Sequence, residues 1–212
     1  LFEPHGPNAQ LEVCLTATDS AGQTGRACIT LRQCGEIAQS PCEALTVADG
    51  AGESDGGSAT HAGVQRAVWL NVGGADVADL VAADGFPNEP DVVEVLPGLE
   101  TSGLGKDYGE RLSGFLLPPE TGEYRFWIAA DDSGELWLST DADGANARLI
   151  AATTTWTGRR QWDKQPSQAS APIFLQADER YYIEVRHKQA DQKDNLAVAW
   201  QPPGGERAVI GA

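Results

Sequence analysis

Two consecutive carboxylates, Asp131 and Asp132, interrupt an otherwise well-patterned stretch running from Tyr124 to Ser139. Adjacent like charges repel unless a cation joins them, and calcium is a hard cation that prefers carboxylate and carbonyl oxygens. The competing reading is a solvated acidic turn, since Ser133-Gly134 follows directly and is turn chemistry. A second polar loop, Gln189 to Asp194, lies downstream. Other chemistry is sparse. Asp141-x-Asp143-Gly144 resembles the start of a helix-flanked calcium loop but lacks its closing Glu, so it reads as a turn. Gly103-x-Gly105 misses the dinucleotide spacing. No Gly-x-Ser-x-Gly or His-Glu-x-x-His is present, and there are 3 histidines, of which His187 alone lies deep in the patterned region. Plentiful carboxylates leave a glycosidase pair open by counting alone, but no long active-site insertion is visible; the expectation is a protein that is not an enzyme.

The elements that must position the acidic pair are strands. Tyr124, Phe126 and Ile128 alternate with Arg125 and Trp127, and Leu136 and Leu138 alternate with Trp137; the pair is therefore expected at the tip of a hairpin. Further strands are expected over 11–18, 26–32, 65–72, 92–96, 108–117, 147–152, 171–176, 180–188 and 195–200. Residues 76–83 suit one or two helical turns, and the two prolines of 86–91 exclude a helix there. Many short strands with turn residues between them indicate an all-β fold, an antiparallel β-sandwich with long loops and little helix.

Composition narrows the partners. With 31 Asp and Glu against 15 Lys and Arg, the net charge is -16. Nucleic acid and anionic membrane surfaces call for the opposite sign. Much of this charge is accounted for by solubility alone. No stretch approaches the roughly 20 apolar residues of a membrane span, so membrane insertion is not expected. All 4 cysteines, Cys14, Cys28, Cys34 and Cys42, fall early in the chain. That favours disulfides and an extracellular or cell-surface setting, with three pairings open. Zinc is the rival, but no Cys-x-x-Cys is present.

Organisation follows from these shifts. Residues 1–45 form a cysteine-containing hairpin extension. Residues 46–63, rich in Gly, Ser, Asp and Ala, read as a linker. Residues 64–203 are the main domain, and 204–212 an exit linker, so that neighbouring domains of a longer chain are expected partners.

The hairpin of residues 11–32, with Thr18-Asp19-Ser20-Ala21-Gly22 between its strands, resembles the last two strands of a polycystic-kidney-disease-type, immunoglobulin-like module. In that frame Cys14 and Cys28 would staple the hairpin and Cys34 and Cys42 close a short loop. The larger resemblance runs from Trp69 to Pro203. Asp107-Tyr108-Gly109, Gly114-Phe115-Leu116-Leu117-Pro118-Pro119-Glu120-Thr121-Gly122, Asp131-Asp132, Glu135-Leu136-Trp137-Leu138-Ser139, Tyr181-Tyr182-Ile183-Glu184, His187-Lys188 and Asp194-Asn195-Leu196-Ala197-Val198-Ala199-Trp200 are similar to the protective-antigen, or PA-fourteen, domain family.

That resemblance implies a jelly-roll-like sandwich found in toxins, glycosidases, flocculins and secreted bacterial adhesins. Its lectin-like members hold Ca2+ on two consecutive aspartates, with a cis peptide bond between them, and sugar hydroxyls complete the ion's shell. Asp131 and Asp132 would be the ligands here. The rest would come from the Asp194 side chain or carbonyls near Gln192. Asp191, Gln192, Asn195 and Lys188 would border a bound sugar, although a strand-end salt bridge serves Lys188 equally well. Trp156 is the candidate stacking platform, its alternative being a loop anchor; Trp127, Trp137 and Trp200 are expected in the core. The implied partners are glycans of cell surfaces or matrix. The alternative is a structural spacer whose calcium only stabilises loops. The second loop departs from the glycine-rich run common in adhesin-like relatives.

Overall fold

A computed structural model describes residues 10–18, 24–32, 63–191 and 193–211. Two units are distinguished, Leu1–Ala59 and Thr60–Ala212. In the first, β1 (Gln10–Thr18) and β2 (Thr24–Arg32) form an antiparallel pair in which the Cα atoms of Cys14 and Cys28 stand opposite each other. Cys34, Cys42 and nearly all of the expected 46–63 linker lie outside the described residues.

The second unit is a sandwich of two antiparallel sheets. The strands, in chain order, are β3 (Val64–Leu70), β4 (Val92–Leu96), β5 (Glu100–Thr101), β6 (Tyr108–Leu116), β7 (Gly122–Asp131), β8 (Ser133–Leu138), β9 (Arg148–Thr153), β10 (Ile173–Leu175), β11 (Tyr181–Gln189), β12 (Asn195–Gln201) and β13 (Ala208–Val209). One sheet has six strands in the order β4-β3-β6-β11-β8-β9; the other has five, β10-β7-β12-β13 with β5 also on β12.

The period-two pattern explains the core. Tyr124, Phe126 and Ile128 of β7, Leu196 and Val198 of β12, and Leu112, Leu136, Ile183 and Val185 of the opposite sheet are all fully buried and share one apolar cluster. Burying such a side chain is worth roughly 1.5–3 kcal/mol, so the strand faces and their register are strongly specified. The tryptophans sit less deeply than expected. Trp137 is half-buried on the outer face beneath the Arg186 guanidinium, and Trp127 lies beneath that of Arg207. Trp200 packs partly buried against the core.

Two features differ from the sequence reading. The segment expected as an exit linker adds β13 to β12 and buries Ile210, because its apolar residues complete the sheet edge. The hairpin expected at Asp131-Asp132 does not form. β7 pairs with β10 and β12, whereas β8 pairs with β9 and β11, so the chain changes sheets between them. Ser133 and Gly134, read as a turn, already belong to β8; Asp132 alone separates the two strands, too few residues for a hairpin loop.

The outer face of the six-stranded sheet carries a short helix, α1 (Val77–Val81). Leu80 reaches the sheet over Gly109, where a Cβ would lie 2.5 Å from Leu80 Cδ1, so only glycine admits this approach. Trp69, Ala67 and Val72 complete that second apolar cluster.

Candidate functional site

The acidic pair is fixed by the end of β11. The Asp131–Asp132 peptide bond is cis. Its two polar groups are both held by consecutive β11 residues. His187 Nε2 donates to the Asp131 carbonyl oxygen at 2.7 Å, and the Asp132 N–H donates to the Lys188 carbonyl at 3.1 Å. One residue pair further, the Ala190 N–H donates to Asp132 Oδ2 at 2.7 Å. On the other side, Asp131 stands opposite Asn195 in the β7–β12 register. The strand that enters the second loop and the strand that leaves it therefore both meet the aspartates.

The electrostatics are dominated by burial and by the repulsion of two adjacent charges. Burial, and then the neighbouring Asp132 charge, push the Asp131 carboxyl up to about 6, against the opposing pull of His187 and Lys164. A divalent cation would reverse that repulsion. Among the described residues no group of three or more His, Cys, Asp or Glu gathers into a metal cluster. Two carboxylates thus need neutral oxygens to complete a calcium shell of six to eight.

Such oxygens are present. Asn195 Oδ1 and Gln189 Oε1 are both buried without a hydrogen-bond partner. The orientation of each amide is set by its nitrogen, because Asn195 Nδ2 faces the Thr157 carbonyl at 3.0 Å and Gln189 Nε2 faces the Asp191 carbonyl at 2.7 Å. Carbonyls only accept, so the amide oxygens must point the other way. A buried unpaired acceptor costs about 1–3 kcal/mol, a deficit that a bound cation removes. Two aspartate carboxylates and two unpaired amide oxygens are the kinds of donor that calcium takes.

The other expected site residues divide. Both oxygens of Asp194 are already hydrogen-bonded. Its Oδ1 accepts from the Gly103 N–H at 2.6 Å, and its Oδ2 from the Leu104 N–H, the Gly105 N–H and the Tyr108 hydroxyl at 2.7, 3.1 and 3.1 Å. Burial acts to raise its pKa, but these donors outweigh that and hold the carboxyl below its ordinary value. Of the two sources expected to complete the shell, the Asp194 side chain is thus committed to tethering the 103–105 loop.

Lys188 is corrected. Its side chain is fully buried and its Nζ donates to the Gln189 carbonyl at 2.8 Å, so it reaches neither a sugar in solvent nor a strand-end ion pair. The alternation of β11 places it beneath α1 rather than toward the aspartates' open side. Burial lowers its pKa, against the pull of Asp107, Asp79 and Asp132. Asp191 is exposed, close enough for its charge to act on Asp131. Gln192 lies outside the described residues.

Trp156 is 55% exposed. Its neighbour Thr157 is fully buried and is stapled to β7, its N–H donating to the Ala130 carbonyl at 2.7 Å and its hydroxyl accepting from the Ala130 N–H at 2.9 Å. That staple places Trp156 at the Asp131 end of the strand. Lys164 lies over the indole and donates to the Trp156 carbonyl at 2.7 Å.

The sequence reading missed Gln189, Thr157 and the buried polar group behind the pair. Gln189 was legible as the last inward position of β11, in the series Tyr181, Ile183, Val185, His187. That a carboxamide there would lack a partner was not.

Residues 105–212 match the model of the PA14 domain. A mouse N-acetyl-beta-glucosaminyl-glycoprotein 4-beta-N-acetylgalactosaminyltransferase 1 is 38% identical over 132 residues, which is 59% of this chain and 13% of the transferase. Dog fibrocystin is 33% identical over 90 residues, 39% of this chain and 2% of that protein. The chain thus spans only a small part of the curated relatives it matches. Among solved structures, a PA14 sugar-binding domain from an RTX adhesin superposes with a TM-score of 0.53 at 16% identity, over 70% of this chain and 94% of that one. The PA14 domain of the antifreeze protein MpAFP gives 0.53 at 14% identity, over 76% and 93%.

Proposed function

The chain belongs to the PA14 domain family, and from that premise we propose that its second unit is a calcium-dependent carbohydrate-binding module acting outside the cell. The observation that carries this reading is the pair of unpartnered buried amide oxygens, Asn195 Oδ1 and Gln189 Oε1, on residues that flank the two consecutive aspartates, Asn195 opposite Asp131 and Gln189 between the two residues bonded to Asp132. Together they supply charge and neutral oxygens, and leave coordination positions that vicinal sugar hydroxyls, themselves neutral oxygen donors, would occupy. Calcium would supply the link between protein and sugar. The protein's own residues orient the carboxylates, hold the loop and offer the Trp156 ring to an apolar sugar face.

The module does no chemistry on the sugar in this reading. The transferase relative matches over 13% of its length, so its activity is not carried over to this chain. Glycans of cell surfaces or matrix are the partners, and the likeness to an adhesin domain titled as sugar-binding supports that class. The parent protein is read as a secreted or cell-surface adhesin or enzyme with further domains.

One observation favours a second reading, a structural module. The second loop hangs on Asp132 through the Ala190 N–H, so an ion at the pair would stiffen that loop. A glycan array run with calcium and with chelator separates the two. Chelator-sensitive signals on defined glycans are expected. Calcium-dependent melting with no glycan bound would leave the structural reading standing instead.

A further inference from the structure

Behind the acidic pair lies a buried polar chain that the apolar core does not require. Glu110, on β6, is fully buried and accepts from three side chains. These are Thr101 Oγ1 at 2.6 Å, Arg66 Nε, and His187 Nδ1 at 2.7 Å. Arg66 in turn donates to Glu94 at 2.8 Å. His187 is itself fully buried, and its second nitrogen meets the Asp131 carbonyl. A carbonyl oxygen only accepts, so Nε2 carries a proton, and the carboxylate at Nδ1 fixes the ring's orientation.

Stability alone does not account for such a chain. A buried ionic network of this kind can often be replaced by packed apolar side chains at no loss, because desolvation offsets the attraction. Toward the acidic pair, the network ends on one atom. The peptide unit joining Asp131 to Asp132 is held at its N–H by the Lys188 carbonyl, which any residue at that position would provide. It is held at its C=O by a side chain, which only a donor of the right length provides.

Resting on the calcium reading above, we propose that His187, braced by Glu110, is the positioning residue of the ion site: its Nε2–H pins the Asp131 carbonyl, so that both carboxylates, and not the backbone oxygen, face the cation. Both residues act from behind the site and touch neither ion nor sugar. Partners of this kind typically govern metal affinity by about 10–100-fold.

The test uses the whole chain with calcium or terbium as the only ligand. Calcium affinity of the wild type, His187→Leu and Glu110→Gln is measured by calorimetry well below each variant's melting temperature, alongside terbium luminescence lifetimes, which count inner-sphere waters. His187→Leu is expected to weaken calcium by about tenfold or more and to change the terbium lifetime. His187→Gln, which keeps a donor, is expected to recover part of the affinity. A lower melting temperature with unchanged affinity and lifetime would overturn the proposal and leave His187 a packing residue. If His187→Leu does not fold, ring NMR of the wild type decides. There are 3 histidines, and the buried one is expected to show an Nε2-bound proton whose resonance moves when calcium is added. An unprotonated Nε2, or a signal indifferent to calcium, would overturn it. A wild type that binds no calcium refutes the underlying reading instead, so the two failures are distinct.

Discussion

Asn195 Nδ2 donates to the Thr157 carbonyl at 3.0 Å, and that bond leaves Oδ1 unpaired on the residue that stands opposite Asp131 in the β7–β12 ladder. The relationship ties the last strand, the Trp156 loop and the acidic pair into one assembly. It also makes Asn195 a ligand candidate on structural grounds rather than a sugar contact alone.

Asn195→Ala should therefore weaken calcium by about tenfold or more, the size of one lost ligand. It should cost only about 1 kcal/mol of stability without calcium, one hydrogen bond's worth. Titration calorimetry and urea unfolding in chelator read the two effects separately. An unchanged calcium affinity would remove Asn195 from the shell.

Asp194 should behave in the opposite way. Its carboxylate serves three backbone N–H groups and the Tyr108 hydroxyl. Asp194→Ala orphans those donors at the edge of the sandwich, so we expect about 2–3 kcal/mol of destabilisation in urea. Calcium affinity, measured where the variant is fully folded, should change by less than about threefold. A large affinity loss at undiminished stability would restore Asp194 to the ligand set.

The pH dependence has a defined sign. Asp131 is raised from 3.8 to about 6 by burial and by Asp132, so the calcium-free fold favours its protonated form. Its favourable contribution is present below the unfolded value and is lost as pH rises through the folded one. In chelator, wild type should lose about 1–2 kcal/mol relative to Asp131→Asn between pH 4 and pH 7, after discounting for partial exposure. With saturating calcium the trend should invert, because the ion selects the ionised pair. A pH-independent difference in chelator would mean that neither burial nor the Asp132 charge perturbs Asp131.

How far these sites were readable from sequence depends on which physical rule governs each. Tyr124, Phe126 and Ile128 were legible as core because strand faces alternate with period two, and the second sheet gives them somewhere to go. The same alternation pointed Leu136 and Leu138 inward. It could not say that β7 and β8 lie in different sheets, because pairing partners are long-range choices and a local acidic-Ser-Gly run fits a turn as well as a crossover. Asp131 and Asp132 were legible because two adjacent charges are locally anomalous. Lys188 was misplaced for the converse reason: a lysine is expected at the surface, and its burial follows from α1 folding over Gly109. Gln189, Glu110 and His187 are ordinary residues in the sequence; what singles them out is a missing or a shared partner, which only three-dimensional contact reveals.

Trp156 offers the most direct route to the sugar question. It is 55% exposed, yet its backbone is anchored, since Thr157 is bonded to both polar groups of Ala130 and Lys164 caps the Trp156 carbonyl. A rigid exposed indole at the Asp131 end of β7 loses little entropy on stacking, so its contribution should appear in affinity rather than in stability. Trp156→Ala is expected to leave the melting temperature within about 1–2 °C and the calcium affinity unchanged, because no ligand or its support is touched. Glycan affinity on the array-selected sugar should fall by about five- to tenfold, equivalent to about 1–1.4 kcal/mol. Trp156→Phe should keep part of it, since the ring face survives. If the alanine variant instead melts several degrees lower and binds the glycan as before, the indole is a loop anchor and the sugar lies on the other side of the acidic pair.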